Sequence, residues 1–498
     1  MLTRREFLNL LAKSSAGLAL LPYTDKHAWA NQTGTLVNDI HSQLNPTYVD
    51  RVVPINSPTS LRAVLAKAQA EGKTVSIAGG RHSMGGQQFG AGTVLIDTRP
   101  MNRILNFDVA RGVVEVEAGI QWPGLVDNLI KLQEGKAKQW GIIQKQTGAD
   151  RLSLGGALAS NIHGRGLTLK PIVGDVEAFT LMAADGKTTI CSRAENSELF
   201  RLAIGGYGLF GVVTSVKLRL MPRTKLERRV EIIDIDQLMQ SFEKRVALGY
   251  LYGDCQFSID IPSDGYLKRG VFSCYRKLPD NALMPAEQKE LSEDNWRELY
   301  YLAHTDTKSV FDRYSSYYLS TSGQKYWSDT HQLSVYINDY HQDVDYKLKE
   351  KTKATEMITE LYVPRTALPR FMNTIREDFR KHNVKVIYGT IRLIEQDTES
   401  FLAWAKQSYA CIVMNLHITH DKDGINKATD DFRRLIDRAI ELGGSYFLTY
   451  HRWARRDQAQ TCYPQMAEFL KLKKKYDPAE LFQSDWYRHY KTMFADRI

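Results

Sequence analysis

The chain has 498 residues, well past the roughly 250–300 at which one hydrophobic core stops growing, so two packed domains are expected. Hydrophobic residues make up 43% and charged residues 25%, which excludes a fibrous or disordered chain. The net charge of +9 is modest, and its densest basic run, Lys471 to Lys475, follows Met466, Phe469 and Leu470 at helical spacing; this is the solvated end of a helix, and no nucleic-acid partner is expected.

Residues 1–30 read as an export signal. Arg4 and Arg5 precede an apolar run from Phe7 to Leu21, and Ala28-Trp29-Ala30 offers small residues for cleavage. Thr3-Arg4-Arg5-Glu6-Phe7-Leu8 is similar to a twin-arginine signal, a route that carries folded, cofactor-loaded proteins. An ordinary secretory signal or a membrane anchor is the alternative. Asn9, Lys13 and two serines interrupt the run, which falls short of the ~18 residues a spanning helix needs. The expected mature protein is periplasmic, with no stable membrane insertion.

From Val49 to Leu220, short strands and helices alternate across glycine-rich joints. Val52 to Ile55 is a strand, a helix follows Ser57-Pro58, and Thr74 to Ala78 runs into a glycine loop. Strands at Val94 to Asp97, Ile104 to Phe107 and Val113 to Ala118 precede a helix from Trp122 to Leu132. Glu177 to Ala183 then pairs with Thr188 to Ser192 across Asp185-Gly186. After Pro222-Arg223 glycine thins out and aromatics rise, which sets a domain boundary near 224. A helix-rich, tyrosine-rich stretch spans 287–340. Beyond it come a strand from Thr359 to Pro364, a helix from Leu368 to Lys381, strands Val384 to Ile391 and Ala410 to Ile418, and a helix from Ala428 to Leu442. The five cysteines, Cys191, Cys255, Cys274, Cys411 and Cys462, show no C-x-x-C and no metal spacing, so no metal is expected. One disulfide is possible in an oxidising compartment, but Cys191, Cys274 and Cys411 sit in apolar or alternating runs that suit buried thiols.

Three glycine-bearing loops carry the chemical signal. The first, Ser76 to Gln87, is a strand entering a loop with Gly79, Gly80, Gly85 and Gly86 around His82-Ser83; its amides can form a nest for a pyrophosphate, or simply turn the chain. The second, Gln146 to Gly164, is rich in small residues, so a helix starting near Gly155 can approach a flat ring or phosphate closely, or pack tightly on another helix. The third holds a literal G-x-G-x-x-G at Gly206, Gly208 and Gly211, but Glu198 to Ala203 reads as helix before it and Val212 to Leu220 as strand after it. That order is the reverse of a Rossmann dinucleotide site.

Taken in order, the three loops resemble the FAD-binding domain of the vanillyl-alcohol oxidase family, the PCMH type, over roughly Thr47 to Leu220; alditol and aldonolactone oxidases are the nearest-looking branch, through His82-Ser83 and Met101-Asn102-Arg103-Ile104. The resemblance implies an α+β fold: a two-subdomain PCMH-type FAD-binding domain (45–224), a substrate domain of antiparallel sheet with helices on one face (225–455), and a C-terminal segment (456–498) returning to the FAD domain. It implies FAD contacts from Gly79, Gly80, Arg81, His82, Ser83, Met84, Gly85, Gly86 and Gln87 in the first loop. From the second loop it implies Thr147, Gly148, Ser153, Gly155, Gly156, Ala157, Ser160, Asn161, His163 and Gly164, and from the third Gly206, Gly208, Gly211, Val212 and Val213. His82 matches the histidine that bonds the flavin 8α-methyl in many members. No cysteine lies between Gly148 and Gly155 to form a second bond.

In the substrate domain, Thr390-Ile391-Arg392 is similar to a substrate-binding Glu-x-Arg with threonine for glutamate, and His451-Arg452-Trp453-Ala454-Arg455 echoes a His-Trp-Ala/Gly-Lys segment. Arg392 and Arg455 are the expected cations at the flavin edge, and His451 or His417 the expected proton acceptor; a surface ion pair is the alternative for Arg455 and a satisfied structural histidine that for His417. The function implied is oxidation of a CH–OH group of a small alcohol, sugar or aldonolactone, with electrons passing to O2 or a periplasmic acceptor. The alternatives are a noncovalent-FAD dehydrogenase or epimerase partner for a lipid-linked sugar, and a flavin carrier without turnover.

Overall fold

The computed structural model describes residues 33–334, 337 and 340–498; the expected export signal lies outside them. Three larger sheets build the molecule, beside a two-stranded antiparallel pair, Thr35–Val37 with Thr47–Val49. The first is parallel, ordered Arg51–Pro54, Val94–Asp97, Val75–Ala78. The helix Pro58–Ala70 crosses between its strands; Ser57 caps it in a reciprocal box with Ser60, Pro58 presets its first turn, and Leu61, Leu65 and Ala68 are buried on one face. The C-terminal segment closes this sheet's other edge, where Phe482 bridges Val75 in parallel, Val75 N donates to Leu481 O at 2.7 Å and Gln483 N to Val75 O at 2.7 Å.

The second sheet is antiparallel and six-stranded: Thr188–Ser192, Val176–Met182, Val212–Pro222, Val113–Glu117 and Ile104–Asp108 in order, with Trp140–Ile142 added to Val212–Pro222. The helix Trp122–Leu132 buries Trp122, Leu125, Val126 and Leu129 in the same core. Asp175 is buried here, where Gln144 Nε2 donates to its Oδ2 at 3.0 Å, and burial pushes its carboxyl up to about 7. A carboxyl raised on folding favours the native state below its unfolded value of 3.8 and loses that advantage as pH climbs to about 7. Asp175→Asn, which keeps an oxygen for Gln144, is therefore expected to stabilise the fold by on the order of 2 kcal/mol above pH 7 and little below pH 4, read as thermal midpoints across pH.

The chain leaves this sheet at Pro222 and enters the third at Lys225. This sheet is eight-stranded and antiparallel, ordered Lys325–Trp327, Lys225–Asp234, Arg269–Lys277, Tyr250–Phe257, Val386–Ile394, Tyr409–Thr419, Ala354–Pro364, Ser445–Tyr446. Alternation along its central strands sorts two faces. Met357, Leu361, Ile391 and Leu416 join an apolar core with the helices Leu238–Ala247, Leu368–His382 and Lys422–Ile440. The opposite face carries Glu356, Glu360, Tyr362, Thr390, Arg392, Cys411 and His417. It is roofed by two tyrosine-rich helices, Glu293–Thr305 and Thr307–Ser320, through His304 on Glu356 and through Arg228, which donates to Thr321 Oγ1 at the end of the second helix. All five cysteines are buried free thiols. Among the described residues, no helix is long and apolar enough to cross a membrane.

Candidate functional site

The three loops converge on one cleft of about 780 Å³. Gly79, Gly80, Arg81, His82, Ser83 and Gln87 line it from the first loop, Gly155, Gly156 and Ser160 from the second, and Gly208, Gly211 and Val213 from the third. Two glycines make the convergence possible: a Cβ on Gly79 would collide with Ser153 Oγ, and one on Gly80 with the carbonyl of Arg151. The second loop opens into the helix Leu154–Ser160, which Ser153 caps by accepting from Gly156 N at 3.3 Å; its amino end faces the cleft. Before Gly206-x-Gly208-x-x-Gly211 stands the helix Ser197–Ala203, and after it the strand Val212–Pro222, so this is no Rossmann turn.

The rest of the expected contacts lie outside this lining. Met84 and Ala157 are core residues, Val212 packs in the core of the parallel sheet, and Gly206 backs onto its own preceding helix. Gly85 and Gly86 abut Tyr450 and Arg452 of the C-terminal chain. Gly148, next to Thr147, donates its N–H to Ser334 Oγ at 3.2 Å, and Gly164 N donates to Gln144 Oε1 at 3.1 Å. Asn161 ends the second-loop helix in a left-handed conformation and donates to Asp397 at 2.8 Å.

The cleft suits a dinucleotide. Arg81 Nε and Gln88 Oε1, both on residues of its wall, are buried without a partner among the described residues, and Arg81 holds a left-handed φ of 60° that the loop must sustain. His82 is 9% exposed and meets His41, with Nδ1 2.8 Å from His41 Nε2. Burial, then His41, push the His82 imidazole well below its usual value, so the ring is neutral at pH 7 and keeps a nucleophilic lone pair.

Beside the cleft, a polar cluster sits on the roofed face of the eight-stranded sheet. Glu360 takes His163 Nε2 at 2.5 Å, the Tyr362 hydroxyl at 2.5 Å, the Cys411 thiol at 3.3 Å and, on its other oxygen, the Tyr450 hydroxyl at 3.0 Å. Burial pushes the Glu360 carboxyl up, but His163, Tyr362 and Arg392 together outweigh it and hold the group at about 2. His163 Nδ1 faces Gly164 O at 3.0 Å, so both ring nitrogens of this fully buried side chain face acceptors. His163, expected as a flavin contact, thus points instead into the substrate sheet. Arg392 lies two strands from Glu360 on the same face, joined through the register Glu360–Val413–Thr390. It is 3% exposed, and its Nε and one terminal nitrogen have no acceptor among the described residues. The buried Lys145 ammonium, 2.5 Å from Asp150, is a second cation near both Arg392 and His82.

The other expected catalytic residues are dispersed. Arg455 is 40% exposed and committed to Asp437 and Asp457 at 2.8 and 3.0 Å. His451 is buried, stacked on Trp453 at 4.2 Å, with Nε2 unpartnered among the described residues; burial lowers it to about 4, while its neighbour Tyr450 reaches the cluster. His417 sits farther along the sheet against His304, where burial lowers it to about 3. Sequence reasoning missed Glu360, Tyr362, Tyr450 and Lys145. The signal available was the alternation Glu356, Ile358, Glu360, Tyr362, which puts two glutamates on one face of the strand Ala354–Pro364.

Residues 49–192 match the family model described as "FAD binding domain", and FAD is the cofactor of this chain. The chain is similar to L-gulonolactone oxidase of Mus musculus, 34% identical over 34% of this chain and 37% of that protein. It is similar to L-gulono-1,4-lactone dehydrogenase of Mycobacterium tuberculosis, 21% identical over 92% of this chain and 98% of that protein, and to cytokinin dehydrogenase 4 of Oryza sativa, 26% identical over 45% and 42%. The match thus spans less than two fifths of the mouse protein and almost all of the mycobacterial one.

Proposed function

We propose that the chain is an FAD-dependent oxidoreductase that oxidises a CH–OH group of a small sugar-derived alcohol or aldonolactone. The observation that carries this reading is Arg392: a buried guanidinium with two donors unpartnered among the described residues, beside a carboxylate held ionised, calls for an oxygen-rich ligand. The names of the mouse and mycobacterial relatives supply the substrate class. FAD, when bound, supplies the two-electron acceptor for the carbon-bound hydrogen. Arg392 binds and orients the substrate's oxygens and offsets negative charge developing there. The His163–Glu360 pair fixes that wall and keeps Tyr362 and Tyr450 oriented. The roof helices exclude water from the same face.

Anaerobic mixing with L-gulono-1,4-lactone, alditols and aldoses, read as loss of flavin absorbance, tests this without knowledge of the oxidant. Bleaching by one class and not the others supports the reading; no bleaching by any of them favours a flavin carrier. The relatives' names include both an oxidase and a dehydrogenase, so O2 and a periplasmic carrier are both retained as acceptors. We further propose one covalent link, from His82 to the flavin, formed before export by the twin-arginine route. Acid precipitation is expected to leave the wild-type pellet yellow and to release all flavin from His82→Ala. A colourless wild-type pellet would favour the noncovalent alternative.

A further inference from the structure

We propose that His304, His341, His417 and Glu356 form a site for one divalent transition-metal ion, zinc by preference, that pins the tyrosine-rich roof onto the eight-stranded sheet. Glu356 and His417 face each other across the antiparallel strands Ala354–Pro364 and Tyr409–Thr419. His304 comes down from the last turn of the roof helix Glu293–Thr305, and His341 from the start of the helix Tyr340–Leu348. Three elements therefore deliver two imidazoles and a carboxylate to one point, and the His341 imidazole stands against the same carboxylate. His304 Nε2 and His341 Nδ1 each stand 3.2 Å from an oxygen of Glu356, and donor atoms of His304, Glu356 and His417 all lie within 4.8 Å of one another. Neighbouring donors around a tetrahedral ion with bonds of ~2.0–2.1 Å are about 3.3 Å apart, so the group needs little rearrangement.

The burial makes a stronger demand. The side chains of His304 and Glu356 are 2% and 3% exposed, and Nδ1 of both His304 and His417 is buried without a partner among the described residues. Glu356 Oε2 is likewise buried without a hydrogen-bond partner among the described residues, and polar atoms left unpartnered in a buried site are costly, a cost that a shared cation offsets. Imidazole and carboxylate donors together suit zinc, and four protein ligands make a closed, structural site. Its place agrees with that role. Glu356 precedes Glu360 by four residues on one strand, about 13 Å at ~3.3 Å per residue, so the ion would sit on the substrate face yet clear of the Arg392 cluster. The expectation of no metal came from cysteine spacing, to which this set of ligands is invisible.

The test uses the FAD-loaded chain, treated with EDTA, reloaded with zinc and desalted, with zinc and flavin measured on one sample. About one zinc per chain is expected, falling about tenfold or more in His304→Ala and His417→Ala with flavin content unchanged. Should those variants fold poorly, the wild type decides alone. Cobalt in place of zinc is expected to give d–d absorption at longer wavelengths than the flavin's, and the zinc X-ray absorption edge an imidazole-containing shell at ~2.0–2.1 Å. No retained zinc, no cobalt bands, a sulfur shell, or full retention in folded variants would each overturn the site. Flavin reduction by lactone, read separately, leaves the proposed function standing or falling by itself.

Discussion

Arg392→Met is expected to lower kcat/KM for the reducing substrate by about 10³-fold while flavin content stays at the wild-type level. The guanidinium lies on the central strand Val386–Ile394, buried, with two donor nitrogens that meet no acceptor among the described residues. Each hydrogen bond to a charged partner contributes ~1.5–3 kcal/mol, so two made to a substrate correspond to a loss of several kcal/mol in transition-state binding. Methionine fills much of the volume and buries no new charge, so the fold should tolerate it. Arg392→Lys keeps the charge but loses the planar fork and should fall between the two. Stopped-flow flavin reduction under anaerobic conditions reads the effect directly. An unchanged rate and affinity in Arg392→Met would remove Arg392 from the site and with it the main support for an oxygen-rich substrate.

The position of Arg392 was legible in the sequence, but its company was not, and the reason is topological. Local chemistry announces itself: Ser57-Pro58 starts a helix, Asp185-Gly186 turns a hairpin with Gly186 at φ 78°, and the helix-before, strand-after order exposes Gly206-x-Gly208-x-x-Gly211 as a turn of another kind. The convergence of three loops was readable only because the family resemblance supplied it; the collisions awaiting a Cβ at Gly79 and Gly80 are its physical counterpart. Glu360 precedes Arg392 by 32 residues, and only the intervening strand Tyr409–Thr419, later than both in the chain, brings them to one face. No periodicity encodes a register of that sort. For Arg455 the sequence left a flavin-edge cation and a surface ion pair both open, and only the fold decides, because Asp437 on the helix Lys422–Ile440 captures the side chain. The tyrosine-rich stretch showed its helices but not its purpose, because a roof is defined by what it covers.

Glu360→Gln is expected to be the most destabilising single change in the site, by about 3–5 kcal/mol at neutral pH. One carboxylate serves His163, Tyr362, Cys411 and Tyr450 at once, and both members of the His163–Glu360 pair are fully buried. An amide offers one acceptor in place of two, points a donor at groups that are themselves donors, and removes the negative charge on which four buried hydrogen bonds converge. The pH dependence gives the prediction its sign. The Glu360 carboxyl is held at about 2 against an ordinary 4.5, so its contribution is fully present above pH 4.5 and is lost as pH falls from there toward 2. The thermal midpoints of wild type and Glu360→Gln should therefore be far apart at pH 7 and draw together on acidification. Midpoints that stayed equally far apart down to pH 3 would show that the damage is steric and not the loss of a charge. The same cluster ties the eight-stranded sheet to the second glycine-bearing loop through His163 and to the segment before the C-terminal helices through Tyr450, so a variant with a loosened pair should also retain flavin less well when combined with His82→Ala.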